Sequence, residues 1–281
     1  MLGRRIAFMF ALPAAAILAA YVLVAYLILP AAWKHHELQP GLAIRAMVTT
    51  TKQGIPGDAM NVGLVGSRDD LLQAMHAAGW YPADPVTMRS SIGIVGSVLL
   101  NRPYNAAPVS SLYYDGRRED LAFEKPVGAS AKARNHVRFW LALDEGAEGR
   151  PVWLGAATFD RGVGVSHLTG QVTHHIAPDI DTVRGLLAAD LEQAGMVQAI
   201  YQVSGIGPTL EGRNGGGDRY FTDGEIWVLR LAPSAQKSAL PPTMLRPPLL
   251  VRLKDAVWHR VSRIIRDRWQ LRQASDENVE H

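Results

Sequence analysis

The sequence predicts an α+β fold with a mixed, largely antiparallel sheet and two or three helices, preceded by one transmembrane helix and followed by an amphipathic helix. Three observations predict it. Residues 134–158 are typical of a hairpin, because apolar and polar side chains alternate on both sides of a glycine-rich turn. Segments with apolar residues at helical spacing lie before and after that hairpin. An uncharged apolar run near the N-terminus is long enough to cross a bilayer.

The N-terminal segment is expected to be a membrane anchor over residues 1–32. Its apolar run, Ile6–Leu29, would form a helix of about 36 Å, which exceeds the ~30 Å hydrocarbon core of a bilayer. A cleaved signal peptide is the alternative, but the apolar regions of signal peptides are shorter. Arg4 and Arg5 outweigh Lys34 on the other flank, which keeps the N-terminus in the cytoplasm. We therefore expect a single-pass protein of the inner (cytoplasmic) membrane, with the bulk of the chain extracytoplasmic.

Charge is unevenly distributed along the 281 residues, although the net charge is only +3. The segment 249–272 carries seven Lys and Arg residues against two Asp residues, and the body between the two basic ends is mildly acidic. This distribution favours a membrane surface at least as well as nucleic acid, and we expect no nucleic-acid partner. The absence of cysteine excludes disulfides, thiol nucleophiles and cysteine-ligated zinc.

The body of the chain is predicted to comprise residues 58–232, after an exit linker at 33–57. Ser67, followed three residues later by Asp70, is typical of a helix N-cap, and Gly79 ends that helix. The other predicted elements are strands at 61–65, 134–143, 151–160, 170–176, 196–205 and 224–231, a helix at 181–195, and a weaker helix at 87–100 that two glycines interrupt.

The C-terminal part is predicted to be a proline-rich linker at 233–248 and a basic amphipathic helix with a polar tail at 249–281. Five apolar residues recur on one helical stripe with Arg and Lys around them. Such a helix either lies on a membrane surface or packs its stripe against the domain, and the sequence leaves both alternatives open. The stripe consists of Leu250, Leu253, Val257, Val261 and Ile264.

The segment 211–223 contains Gly215, Gly216 and Gly217 in a row, shortly before a strand. A P-loop requires a lysine after its glycines and a dinucleotide-binding turn requires a helix, so neither pattern fits. Calcium-binding nonapeptides occur in tandem arrays, and this segment occurs once. Two alternatives remain: a flexible hairpin, or a nest of backbone N–H groups that binds an anion beside Arg213.

The polar face of the strand at 134–143 is the main candidate for a functional site. Arg134, His136 and Arg138 alternate with apolar residues and therefore share one face. Two guanidinium groups can bind phosphate through paired hydrogen bonds, and a histidine between them can act as an acid or base. His136 is the candidate catalytic residue, and a solvated charged face is the alternative. The ligand-binding candidates are Arg134, Arg138, Asp160, Arg161, His174, His175, Arg213 and Asp218.

Four histidines lie in the strand-rich part of the body: His136, His167, His174 and His175. On the third of these strands, alternation places His174 with Val172 and Ile176 on one face, and His175 on the other. If Val172 and Ile176 face the core, His174 is partly buried. Neighbouring residues of a strand do not easily bind one metal ion, which weakens the histidine pair as a metal site.

One of the two neighbouring histidines can still join His136 and Asp160 in a histidine–carboxylate metal site. Asp160 is expected to end its strand and to form a turn or an ion pair with Arg161. Arg213 and Asp218 would lie over His136 if the glycine loop occupies the same edge of the sheet. No serine stands in a nucleophile elbow, which disfavours a serine hydrolase. Neither a definite metal ligand set nor a cofactor follows from the sequence.

Six stretches carry a resemblance to a known family: NVGLVGSRDDLLQAMHAAGW, GRREDLAFEK, NHVRFW, GAATFDRGVGVS, TGQVTHHIAPDID and GRNGGGDRYFTDG. Over about residues 58–232 the chain resembles the LssY C-terminal domain family. The resemblance implies a context and no established activity, since similar domains form the C-terminal part of membrane proteins with a DedA-like or PAP2-type lipid phosphatase module. A phosphatase activity would belong to that module, which these 281 residues do not contain.

The expected function is a membrane-anchored binding or accessory module for an anionic ligand, either a lipid headgroup or phosphate, or for an envelope partner. Its expected partners are the lipid bilayer and an anionic lipid or envelope protein. The alternative is a phosphoester-acting hydrolase that uses His136 with arginines or a metal. Binding is favoured because no nucleophile–base pair and no carboxylate cluster stands out in the sequence.

Overall fold

The computed structural model describes residues 2–34, 38–42, 45–83, 89, 111–128, 133–170, 172–204, 210–233 and 236–277. Within these residues the predicted α+β class is confirmed, with an N-terminal apolar helix and a C-terminal helix on either side of the sheet-containing body. The weaker helix predicted at 87–100 lies, apart from residue 89, outside the described residues.

The N-terminal segment is helical from residue 2 to residue 34. Helix α1, Leu2–Leu23, continues through a π-helical turn, Val24–Ile28, into helix α2, Leu29–Lys34. The span Phe10–Ala31 has a mean hydropathy of 2.4, and none of it is buried inside the protein. Its length and composition fit one membrane crossing, and the described part of the chain contains one such helix.

The strands of the described residues form three sheets, of which one is large. In chain order the strands are β1 (Val48–Thr50), β2 (Pro56–Ala59), β3 (Val62–Val65), β4 (Tyr81–Pro82), β5 (Tyr113–Tyr114), β6 (Arg117–Arg118), β7 (Leu121–Pro126), β8 (Arg134–Leu143), β9 (Val152–Val165), β10 (Val172–Ile176), β11 (Val197–Ser204), β12 (Glu211–Arg213), β13 (Arg219–Phe221), β14 (Glu225–Leu231) and β15 (Thr243–Leu245).

The large sheet runs in the order β15, β11, β14, β3, β9, β8, β7 and β4, and β10 pairs with the second half of β9. Two of its pairs, β11–β15 and β14–β3, are parallel, and the other pairs formed by the described strands are antiparallel. This confirms a mixed, largely antiparallel sheet. The hairpin predicted over 134–158 is the β8–β9 pair at the centre of the sheet.

Two helices cover one face of the large sheet: α3 (Arg68–Ala77) and α4 (Asp181–Gln193). The predicted N-cap is confirmed, because the Ser67 hydroxyl accepts the Asp70 backbone N–H and the Asp70 carboxylate accepts the Ser67 backbone N–H. The helices bury their apolar sides against the odd-numbered residues of β8, as the alternation predicted. This core includes Leu72, Met75, Leu187, Leu191, Val137 and Phe139.

A smaller sheet, in the order β2, β1, β5 and β6, packs on the opposite face of the large sheet. The segment 33–57, which was predicted to be an exit linker, contains β1 and the start of β2. Its residues Gln39, Leu42 and Thr49 are fully buried. The folded body therefore begins before residue 58, because this second layer of the core needs residues from that segment.

The even-numbered face of the β8–β9 hairpin changes character along its length. At one end Trp140 lies opposite Leu154, and both belong to the apolar core beneath the smaller sheet. At the other end Arg134 lies opposite Asp160. Asp160 was predicted to end its strand, but β9 continues to Val165 because β10 pairs with this extension. The charged end therefore lies inside the sheet.

The C-terminal part adds one strand and one long helix. Strand β15 forms inside the predicted linker and pairs with β11 at the sheet edge. Helix α5 (Leu249–Glu277) contacts α2 and β13, and the rings of Trp269 and Phe221 lie 6.0 Å apart. The alternative in which the predicted apolar stripe packs against the domain is wrong for four of its five residues. The exposed four are Leu250, Leu253, Val257 and Ile264.

Candidate functional site

The charged end of the β8–β9 face is buried. Arg134, His136 and Arg138 are 4%, 1% and 5% exposed, and all three lie on the same face, as their alternation predicted. The alternative of a solvated charged face is therefore wrong. Burying charged groups is unfavourable unless each finds an oppositely charged partner, so the partners of the two arginines determine what this face can do.

Each arginine of this face is held by carboxylates. The Arg134 guanidinium lies 2.7 Å from the Glu124 carboxylate and 3.3 Å from that of Asp160. The Arg138 guanidinium lies 3.0 Å from the Asp58 carboxylate. The first set joins neighbouring strands of the large sheet, whereas the second joins the large sheet to β2 of the smaller one. The two sheets are therefore tied together through an ion pair at their polar end.

His136 lies between the two arginines on β8. Burial lowers the pKa of its imidazole well below the ordinary value of 6.5, and the positive charges of Arg138 and Arg134 lower it further. The imidazole is therefore neutral at physiological pH. Its Nε2 atom has no hydrogen-bond partner among the described residues.

A cleft of about 390 Å³ opens beside this face. Arg138 and Asp160 line it, and so does the Asp58 carboxylate from β2, whereas His136 does not. The cleft therefore presents the ion-paired groups of the polar face and leaves the histidine beneath them. The polar residues that line the cleft include Lys52, Asp58, Arg138, Asp160, His174 and Asn214.

The cleft wall holds charged groups of both signs in a poorly solvated setting. Burial raises the pKa of the Asp58 carboxyl; Arg138 opposes that shift and the nearby Asp160 carboxylate adds to it. Burial likewise lowers the pKa of the His174 imidazole, and Asp160 opposes the change. A ligand that enters this cleft meets fixed charges that are screened less than charges on an open surface.

Asn214 organises the glycine loop between β12 and β13. Its side-chain oxygen accepts the backbone N–H groups of Gly216 at 3.0 Å and Asp218 at 2.9 Å, and its carbonyl oxygen accepts that of Gly217. The anion-binding nest is wrong for these amides, since the side-chain and backbone oxygens of Asn214 already accept their hydrogens. The loop is an ordered hairpin in which Gly217 has a φ of +90°. The Asn214 side chain also hydrogen-bonds the Asp58 carboxylate, which links the loop to the cleft.

Strand β10 separates its two histidines, as predicted. His174 lines the cleft, while the Nδ1 atom of His175 lies 2.8 Å from the Asp218 carboxylate on the other side of the strand. The expected core neighbours differ: Ile176 is buried, but Val172 is 72% exposed. Val172 pairs with the last residue of β9, beyond the edge of the core, and a register shift separates His175 from Ile176.

The other candidates do not gather around His136. The Arg213 guanidinium donates to the carbonyl oxygen of Gly217 and braces the glycine loop. The Asp218 carboxylate accepts the backbone N–H of Ile176. Neither residue lines the cleft, so the predicted placement of both over His136 is not observed.

Asp160 and Arg161 point in opposite directions from β9. Asp160 is buried and binds Arg134, whereas Arg161 is exposed. The predicted ion pair between these neighbours is wrong, because consecutive strand residues face opposite sides of a sheet. Arg161 does not line the cleft.

Sequence reasoning missed Asp58 and the role of Asn214, and it left His167 unplaced. Asp58, the ion-pair partner of Arg138, is 80 positions away along the chain, and no local sequence pattern predicts such a pair. Asn214 had a recognisable signal, since an asparagine before glycines is typical of a turn that its own side chain organises. His167 lies close to His175, with 5.3 Å between the ring centres.

A third buried arginine, Arg184 of α4, does not line the cleft. Its guanidinium binds both oxygens of the Asp223 carboxylate at 2.9 and 2.7 Å, donates to the Glu225 carbonyl and lies 4.8 Å from the Trp227 ring centre. Burial raises the pKa of the neighbouring Asp181 carboxyl to about 6, and Arg184 opposes that shift. Sequence reasoning did not identify this cluster.

The family model described as LssY C-terminus matches residues 39–226, about two thirds of the chain. No curated protein and no solved structure matches the chain. The matched range includes Lys52, β2 with Asp58, the β8–β9 hairpin and the glycine loop, so every cleft residue named above lies within it. The chain therefore belongs to the LssY C-terminal domain family.

Proposed function

We propose that the chain is a membrane-anchored module that binds a phosphate-bearing ligand in the cleft. The family match and the apolar helix support a membrane-anchored domain. The excess of positive charge before the helix supports placing the N-terminus in the cytoplasm and the body outside it, in the inner membrane. The proposal therefore has three parts: a phosphate-bearing ligand, an anchor in the inner membrane, and a body on the outer side of that membrane.

Arg138 carries the binding part of the proposal. The residue is 5% exposed and lines the cleft, and its guanidinium is fixed by the Asp58 carboxylate. A fixed guanidinium presents its donors in the planar arrangement that suits a phosphate group, and little side-chain entropy is lost when the ligand binds. Lys52, which is exposed at the same cleft, supplies a second positive charge.

The hydrolase alternative is less well supported than binding. It requires His136 to reach a reacting group, yet the imidazole is 1% exposed and does not line the cleft. A general base must lie within hydrogen-bond distance of the proton that it removes. The low pKa of His136 fits a neutral residue that supports the two arginines from beneath.

Helix α5 supports a second contact with the bilayer. Four apolar residues of its stripe are exposed, and the helix also contacts α2 at the end of the apolar span. Arg252, Arg260 and Arg263 are exposed on the same helix. An exposed apolar stripe with basic residues around it is typical of a helix that lies in the interface of an anionic membrane.

A binding experiment with the full-length chain tests the ligand. The protein is purified in a maltoside detergent, which contains no phosphate, and is titrated by calorimetry with inorganic phosphate or with dihexanoyl phosphatidic acid. Binding of both probes would identify phosphate itself as the recognised group, whereas binding of the lipid alone would identify a headgroup. Either result supports the proposal, and no binding of either probe would overturn it.

The variant for this experiment replaces the ion pair by a neutral hydrogen-bonding pair, Asp58→Asn with Arg138→Gln. Loss of charge-assisted hydrogen bonds, each about 1.5–3 kcal/mol, should weaken binding by roughly tenfold or more. Arg161→Gln is the matched control, because Arg161 is exposed on β9 and does not line the cleft. Equal affinity of the double variant and the unmodified protein would show that the cleft is not the site.

A further inference from the structure

His167, His175 and Asp218 form a compact cluster on the opposite side of β10 from His174. Their nearest ligand atoms all lie within 4.8 Å of one another. The Asp218 carboxylate oxygen is 2.8 Å from His175 Nδ1 and 4.0 Å from His167 Nε2. Nitrogen and oxygen ligands of one tetrahedral zinc ion lie about 3.3 Å apart, which falls between these two distances.

The carboxylate of the cluster is held in place by the backbone. Asp218 is 8% exposed, its second oxygen accepts the Ile176 N–H at 3.1 Å, and its own N–H donates to Asn214. Such support of a carboxylate is typical of a metal ligand whose orientation is fixed by its surroundings. The second oxygen is engaged, and the first remains directed at the histidines.

The chain also leaves space for both imidazoles. A methyl group at Gly164 would overlap the His175 ring, and one at Gly217 would lie 2.8 Å from the His167 Cβ. The backbone N–H of His167 donates to the Gly216 carbonyl at 2.9 Å, which joins the turn after β9 to the glycine loop. Three ligands from three separate segments therefore meet at one point.

The cluster has a route to solvent on one side. The side chain of His167 is 64% exposed, that of His175 is 25% exposed and that of Asp218 is 7% exposed. A metal ion can reach the two inner ligands from the solvent, and His167 can close on it by a side-chain rotation. Two histidines and one carboxylate also leave a fourth position for water, as in zinc sites with an open coordination position.

From this geometry we infer that His167, His175 and Asp218 bind a divalent transition-metal cation of the zinc class. In this site the glycine loop contributes the Asp218 carboxylate as a ligand, and its backbone amides do not bind the metal. It is independent of phosphate binding in the cleft, since none of its three ligands lines that cleft. The expected stoichiometry is one ion for each chain.

Metal content of the full-length chain tests this inference. The protein is purified in detergent with a tag that contains no histidine, treated with EDTA, dialysed, and then loaded with zinc chloride. Mass spectrometry should find one zinc equivalent, and cobalt(II) in its place should produce the visible absorption of a low-coordinate site. Absence of bound zinc after loading would overturn the inference.

Single substitutions identify the ligands. Loss of one ligand should lower zinc affinity, measured by competition with a chromogenic chelator, by more than about tenfold in His167→Gln and in His175→Gln. His167 is largely exposed, so that variant keeps the fold. Gly164→Ala should also weaken binding, because its methyl group displaces the His175 ring.

His174→Gln is the matched control, since it removes the neighbouring histidine of the same strand, whose side chain faces the cleft. It should bind zinc as the unmodified chain does. Zinc affinity that is unchanged in His167→Gln and His175→Gln, or lowered equally in His174→Gln, would contradict the proposed ligand set. Phosphate titration of these variants should match the unmodified protein, which separates a failure here from a failure of the cleft.

Discussion

Two of the buried arginines, Arg184 and Arg138, are alike in chemistry and different in surroundings. In the first, Arg184 is 3% exposed and is enclosed by Asp223, Asp181 and the Trp227 ring. In the second, Arg138 is 5% exposed and binds Asp58, but both line a cleft of about 390 Å³. The Arg184 centre is enclosed by these protein groups, whereas the Arg138 centre faces a cleft that is large enough for a ligand.

The difference indicates why one ion pair is structural and the other is a candidate site. A buried ion pair is weak evidence for added stability, because apolar residues of similar volume often do as well. Removing only one partner is strongly destabilising, however, because the other charge stays buried without compensation. That penalty should be large where the partner is enclosed and smaller where it reaches water in a cleft.

The largest effect is expected from Arg184→Leu. The substitution removes the guanidinium that donates to the Asp223 carboxylate and to the Glu225 carbonyl, and it leaves Asp181 without its opposite charge. The free energy of unfolding should fall by about 3–5 kcal/mol. Chemical denaturation of the full-length chain in detergent, followed by tryptophan fluorescence, measures this change.

Arg161→Leu is the control for Arg184→Leu, because Arg161 is exposed on β9. Surface substitutions of this kind usually change stability by no more than about 0.5 kcal/mol. If Arg184→Leu were as mild as the control, the closed centre would not be structural, and the contrast between the two centres would disappear.

Local periodicity was enough to predict much of this fold. The β8–β9 hairpin, the Ser67 cap and the assignment of Arg134, His136 and Arg138 to one face all follow from residues close together in the chain. Such patterns are local because side-chain direction in a strand depends only on position. The same pattern does not reveal whether the polar face is covered.

Long-range pairing explains what the sequence did not predict. Asp58 reaches Arg138 only because the smaller sheet folds over the large one, and Arg184 meets Asp223 across 39 positions. Asp218 sits one residue after the glycines, yet it turns toward His175 and away from the cleft. Which carboxylate pairs with which arginine depends on how whole layers of the fold pack together. Residue spacing along the sequence does not give that information.

A smaller loss of stability is expected from Arg138→Gln. Asp58 loses its opposite charge but lines the cleft, where water can hydrate it. The free energy of unfolding should therefore fall by about 1–3 kcal/mol, less than for Arg184→Leu. The same denaturation experiment measures it, and adding Asp58→Asn should restore part of the loss because the remaining groups are neutral. A loss as large as that of Arg184→Leu would mean that the Arg138 centre is closed as well.

The smallest effect is expected from the histidine beneath the open centre, and it depends on pH. The folded-state pKa of His136 is well below 6.5, so below pH 6.5 the unfolded chain takes up a proton that the folded chain does not. The contribution to stability is therefore present above pH 6.5 and is lost as the pH falls toward the folded-state pKa. The slope approaches about 1.4 kcal/mol for each pH unit.

His136→Gln should remove that slope, and the difference between the two proteins isolates it. Asp181 has a folded-state pKa raised to about 6, so it makes the opposite contribution, with stability rising as the pH falls through that value; because it is present in both proteins, it cancels. Denaturation of both proteins from about pH 7.5 to about pH 5 gives two curves, and the unmodified protein should lose stability relative to the variant below about pH 6.5, since only the unmodified protein has the His136 contribution. Curves that stay parallel would show that the pKa of His136 is the same in the folded and unfolded chains, which would contradict a histidine held neutral by burial between the two arginines.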